Sequence, residues 1–248
     1  MKTRCWLWKG LKEDFRVSQE KLLEYGMIVF LTALVSVQTY RNIGAPVVSV
    51  VDLFAFSIGN FMYTTWIMPM TAVLMAINLH LRIRKKWILH YNTRRNAWIE
   101  LIGKTISSAL CYGIVIILTI FIVGVIISKG TFNNENDPYS LVQIMLHGVY
   151  VDPVKAFVRP LSAVFIHMFF IGMVVTGISW FTGQEYYGII VALVFIFMGS
   201  KVGVFPTVTT SYYYFILPDY TLLFAFLRTA IIWSALIILN RKRQWEVL

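Results

Sequence analysis

Uncharged apolar runs alternate with short polar or basic stretches along this chain, and the runs are of membrane-crossing length. A spanning helix needs about 20 mostly apolar residues, with charges marking its ends. The first run goes from Leu22 to Tyr40, with Glu24 in its first turn and Arg41 closing it. The second, Leu53 to Leu81, lies uncharged between Asp52 and Arg82 and contains Gly59 and Pro69, which predict a break or kink. The third is Thr105 to Ser128, bounded by Lys104 and Lys129. A fourth, Pro160 to Phe181, ends in the polar turn Thr182-Gly183-Gln184-Glu185. The fifth begins near Tyr186 and meets Lys201; the sixth runs from Tyr220 to Asn240, is interrupted by Arg228 and is closed by Arg241-Lys242-Arg243. The pattern predicts an all-α integral membrane protein of six transmembrane helices within 22–240. It predicts one membrane domain over 1–248, preceded by a cytoplasmic segment, 1–21, and followed by a tail, 241–248.

Composition agrees. Of 248 residues, 58% are hydrophobic and only 14% charged, where an ordinary soluble domain carries about a quarter charged residues. A net charge of +10 by itself would suit a nucleic-acid binder, but these charges flank apolar runs, as those of cytoplasmic loops do. Sixteen Lys and Arg fall on the side of the N-terminal segment, the loop between spans two and three and the C-terminal tail, against four on the other side. Both termini are therefore expected in the cytoplasm, in the plasma membrane, with lipid and no nucleic acid as a partner. The mixed-charge N-terminus offers no cleavable signal peptide.

Three segments carry more than a span. In the N-terminal stretch, Trp6 and Trp8 stand among basic residues, and on a helix Trp8, Leu11 and Phe15 share a face flanked by Lys9, Lys12 and Arg16. That suits a helix lying in the membrane interface, or a plain basic anchor. In the loop after span two, Trp87, Tyr91 and Trp98 fall within about 40° of one another on a helix, at about 100° per residue. Lys85, Asn92 and Asn96 point to the opposite side, and Lys86, Arg94 and Arg95 add further positive charge to the loop. Such a helix can dock a protein partner, or rest as a basic loop on anionic lipid. Charged residues in the last two spans form the third group. Arg228 sits near mid-membrane, where an arginine costs about 2.5–3.5 kcal/mol on insertion scales, and Lys201 lies nearer the outer end. Asp52 and Asp219 at the outer boundary and His167 in span four are the available partners. A translocation path or gate and a structural ion pair or snorkelling side chain both fit.

Signatures of catalysis are missing from the sequence. There is no nucleotide-cradling Gly-x-x-x-x-Gly-Lys-Ser/Thr loop and no His-Glu-x-x-His pair, and Cys5 and Cys111 give no support for a zinc site. No metal ligand and no catalytic residue is expected.

Taken together, Trp8 to Arg16, the basic-aromatic loop Arg82 to Lys104, the inner turn Thr182 to Tyr187 and the outer segment Phe205 to Pro218 resemble the layout of the six-span permease subunits of type-two ABC exporters. That group includes polysaccharide, drug and antimicrobial-peptide exporters. The resemblance implies that residues from about Lys85 to Trp98 form a cytoplasmic coupling helix seated in a separate ATP-binding subunit, and that the N-terminal segment is a connecting interfacial helix. It implies a re-entrant-like outer segment between spans five and six. It further implies a second permease subunit, identical or not, with the path between the two. ATP and Mg would then be held by the partner ATPase, this chain binding no cofactor, and the cargo would be an amphipathic peptide or lipid-like molecule. The competing expectations are a transporter or channel that works without an ATPase, for which broken spans are the pointer, and an intramembrane enzyme.

Overall fold

The computed structural model describes residues 19–43, 48–83, 94–132 and 153–202. All regular structure among them is helical: α1 (Gln19–Ile43), α2 (Val50–Gly59), a π-helical turn (Tyr63–Ile67), α3 (Met68–Ile83), α4 (Arg94–Ile127), α5 (Pro153–Thr182) and α6 (Glu185–Val202). By length and composition α1, α4 and α5 can each cross a membrane, and a fourth crossing results if the bent pair Val50–Gly59 and Tyr63–Leu79 is taken as one span. Helix α6 is apolar but shorter, over Glu185–Phe197. The stretch expected to form the sixth span, 220–240, lies outside the described residues, as does the outer segment Phe205 to Pro218.

Helix α5 is the centre of the bundle. Two thirds of its apolar window (67%) is buried, against 39% for α4 and 28% for α1. Val164, Met168, Ile171 and Val175 of α5 pack in one cluster with Phe54, Tyr63, Met68, Met75, Tyr112 and Ile116. The outer helices turn apolar stripes away from this core. On α4, Ile114, Leu118, Ile122 and Ile126 are exposed at a regular four-residue spacing, one side of a 3.6-period helix. Leu22, Leu23 and Phe30 of α1 are each about two thirds exposed. A soluble monomer would not show so much contiguous apolar surface; a lipid environment accommodates it.

Several hydroxyl groups within the spans are satisfied by their own helices, as an apolar surrounding favours. Ser36 donates to the Thr32 carbonyl at 2.8 Å, Thr119 to Val115 at 2.7 Å and Thr105 to Leu101 at 2.9 Å. Thr105 is also 2.6 Å from the hydroxyl of Thr176, a polar tie between α4 and α5. Small residues bring helices close: a Cβ on Gly188 of α6 would run into Ser179 Oγ and the Val175 carbonyl of α5.

The break expected between Gly59 and Pro69 falls at Asn60, with a bend of 57°. Asn60 leaves the helix with an extended backbone (φ −70°, ψ 140°), and its Oδ1 accepts from the Met62 N–H at 2.9 Å, restarting the chain as a helix. Pro69 causes no second break. It has no N–H to give to the carbonyl four residues back, and the chain widens there into a π turn in which Met68 N–H reaches the Tyr63 carbonyl.

Two sequence-based boundaries move. The helix that carries the third span starts well before Thr105: α4 is helical from Arg94 without interruption. The helix of the second begins at Val50, and Asp52, expected at the outer boundary of the span, lies in the first turn of α2.

Candidate functional site

Lys21 and Glu24 were legible only as the charged start of span one. Three residues apart, they sit about one helical turn along α1 and form an ion pair at 3.0 Å. The bundle closes two further polar side chains over them. Asn78, near the end of α3, accepts from Lys21 Nζ at 2.7 Å through Oδ1 and donates through Nδ2 to Glu24 Oε2 at 3.1 Å and to the Tyr112 hydroxyl at 2.8 Å. Tyr112 of α4 donates to the same Glu24 oxygen at 2.9 Å, and its ring meets that of Tyr25 edge-on at 6.0 Å. One carboxylate oxygen thus gathers three donors from three helices.

The arrangement is electrically balanced, one ammonium against one carboxylate, which is what makes it tolerable at low dielectric. The two charged side chains retain 15% and 12% exposure, so the network sits at the rim of the bundle while Tyr112 behind it is fully buried. Ionisable residues in a spanning helix are functional candidates when they face the bundle and hold a named partner, and this pair meets that description. Asn78 and Tyr112 escaped the sequence reading because each is a single polar group in an apolar run, and their partners are 34 to 88 residues away.

A second polar arrangement occupies the opposite end. Ser49 caps α2: its hydroxyl accepts from Asp52 N–H at 3.2 Å, and Asp52 Oδ2 accepts from the Ser49 N–H at 2.9 Å and the Ser49 hydroxyl at 2.7 Å. This reciprocal cap gives the buried Asp52, expected as a path residue, a structural task. The first N–H groups of α2 are also used to tie down the segment after α4, Val50 donating to the Thr131 carbonyl and Val51 to that of Phe132.

Of the other residues singled out in the sequence, His167 is buried on α5 with its ring 6.0 Å from that of Tyr63. Trp98, expected on the partner-facing side of a coupling helix, belongs instead to the first turns of α4; it is 6% exposed and lies 5.4 Å, ring to ring, from Trp180 at the end of α5. Arg94 and Arg95 open α4, and Lys201 lies in the last turn of α6. Trp6, Trp8, Phe15, Lys85, Lys86, Trp87, Tyr91 and Arg228 lie outside the described residues.

Comparison with protein families, with characterised proteins and with solved structures finds no match. Among the described residues no three His, Cys, Asp or Glu gather to hold a metal ion.

Proposed function

We propose that the chain is the transmembrane permease subunit of an ATP-driven exporter in the plasma membrane. In this reading it has six spans and cytoplasmic termini, pairs with a second permease, and docks a separate ATP-binding subunit through the loop that ends at Arg94. The observation that supports the reading best is α4. Its 34 residues make a rod about 51 Å long at 1.5 Å per residue, while the hydrocarbon layer is about 30 Å thick. About 20 Å of unbroken helix is therefore left beyond the layer. With the basic end outside, the rod runs without a joint from the basic loop into the core. Trp98 against Trp180 binds that end of α4 to α5, so a push on the loop reaches the central helix directly. Docking then falls to Lys85, Lys86, Trp87 and Tyr91 rather than to Trp98. ATP and Mg would be bound by the partner, whose closure would drive the two-state movement. Arg228 and Lys201 would line the path of an amphipathic peptide or lipid-like cargo.

The test is a pull-down of the tagged chain in mild detergent, with mass spectrometry of what remains bound. A stoichiometric ATPase that is lost in the Trp87→Ala/Tyr91→Ala variant, with insertion intact, supports the reading. A folded, monodisperse preparation without any ATPase defeats it.

The Lys21–Glu24 pair favours one second reading, a gradient-driven transporter. Such a protein wants an acid within its helices, and Glu24 supplies it in contact with two other spans. Uptake or efflux by the purified chain in vesicles under an ion gradient, with no nucleotide, distinguishes the two.

A further inference from the structure

Side-chain hydrogen bonds pin helix α1 to the bent pair at two places. At one, Asn60 Nδ2 donates to Thr39 Oγ1 at 2.7 Å, directly at the 57° bend. At the other, Asn78 is held between Lys21, Glu24 and Tyr112. Eighteen residues separate Asn60 from Asn78, roughly 27 Å of helix at 1.5 Å per residue.

The two pins differ in kind. The Asn60 pin sits where the helical ladder is already interrupted: an extended residue is followed within a few residues by a π turn, in which the backbone bonds are re-spaced ahead of Pro69. Interruptions of this kind are where helices bend. The Asn78 pin is at the far end of the stiff segment that follows, and its two charges are at the rim, where water can take over their hydrogen bonds as they part. A satisfied network of this sort fixes one arrangement of three helices, and a rim position keeps the cost of releasing it within reach of a binding event.

We infer that α3 swings about Asn60, and that Lys21, Glu24, Asn78 and Tyr112 are the latch that holds its far end closed against α1 and α4. A rotation of ten degrees about the bend would carry the Asn78 end about 5 Å at that lever length, opening the bundle at the end where α1 begins. Glu24 is the keystone, since its Oε2 accepts from a donor on each of α1, α3 and α4. Lys21 keeps that oxygen charged-paired in the closed state. This goes beyond the export reading and does not depend on an ATPase, because the movement belongs to the chain itself.

The experiment places paired spin labels on the full chain in lipid nanodiscs, with Cys5 and Cys111 replaced by serine. One pair, at Leu23 and Ile77, reports the latch; both positions are exposed. The reference pair, at Phe30 and Ile122, reports α1 against α4 away from it. Glu24→Gln and Tyr112→Phe are each expected to add a second, longer distance population, about 5 Å beyond the first, at the Leu23–Ile77 pair and to leave Phe30–Ile122 unchanged. Thr105→Val, which cuts an interhelical bond elsewhere, should change neither. An unaltered Leu23–Ile77 distribution in either folded latch variant overturns the inference. Equal broadening at both pairs does so too, because it would show general loosening rather than a hinge. Tyr112→Phe removes a single hydroxyl and keeps the test available where Glu24→Gln does not fold. Loss of the ATPase from the pull-down above would leave this result untouched, so the two ideas fail separately.

Discussion

The close approach of α6 to α5 at Gly188 gives a sharp test of the packing. A methyl group added at Gly188 would lie 2.5 Å from the Val175 carbonyl oxygen and would also strike Ser179 Oγ. Ser179 can turn its side chain aside; the carbonyl is backbone and cannot. To restore ordinary contact, α6 must retreat from α5 by about 0.9 Å at this point, and α5 is more buried than α1 or α4. Overpacking of this kind costs about 1–3 kcal/mol, and a backbone obstacle places it in the upper part of that range. Replacing a helical glycine by alanine returns about 1 kcal/mol of conformational preference. Gly188→Ala should therefore lose about 1–2 kcal/mol net. Gly26 and Gly103 have nothing within 4 Å of an added Cβ, so Gly26→Ala and Gly103→Ala keep the preference without the clash and should gain about 0.5–1 kcal/mol. Reversible unfolding in mixed micelles, read by steric trapping, measures all three. If Gly188→Ala is as stable as Gly103→Ala, α5 and α6 do not cross as closely as described and the reasoning fails.

Three further outcomes are expected. Trp98→Ala should destabilise the chain itself, by about 3–5 kcal/mol, and alter the near-ultraviolet dichroism of the Trp98–Trp180 pair; a fully stable variant would return Trp98 to the docking surface. Thr105→Val should cost less than 1 kcal/mol, about the average found for interhelical hydrogen bonds in membranes, because Thr176 is left in a helix whose own carbonyls can accept from it; thermal denaturation in detergent checks this. Ser49→Ala removes the cap of α2 and should cost about 1–2 kcal/mol, with faster amide exchange confined to the first turn of α2 and to the 131–132 segment it ties down.

The apolar runs were good guides wherever charges bracket them tightly. Leu22 to Tyr40 and Pro160 to Phe181 fall inside α1 and α5, and Gly183, at φ +75°, turns the chain where the polar tetrapeptide said it would. The start of α4 lies ahead of the apolar run for a physical reason. Glu100 and Lys104 look like loop residues to a hydropathy count, yet a helix may carry charges on a partly exposed side and continue. The bend was placed in the right interval, but Gly59 and Pro69 could not say which end yields; Asn60 does, because its side chain can cap the helix that follows. The latch was not legible at all. Periodicity reports which face a residue takes and is silent on residues from three helices converging at one depth. Asp52 has a task that its place at a membrane boundary did not announce: its carboxylate caps α2 together with Ser49.

The Lys21–Glu24 pair also bears on how the chain is made. Its two members are three residues apart, so they can neutralise each other as soon as one turn of α1 exists, before any later segment has left the ribosome. Asn78 and Tyr112 arrive 54 and 88 residues after Glu24, and the same carboxylate can then recruit them without first giving up its ammonium. A charge that would burden an isolated helix in lipid is thus escorted from the beginning. The order of synthesis allows the bonds to form in sequence: a local pair first, then a tie to the second hydrophobic segment, then a tie to the third.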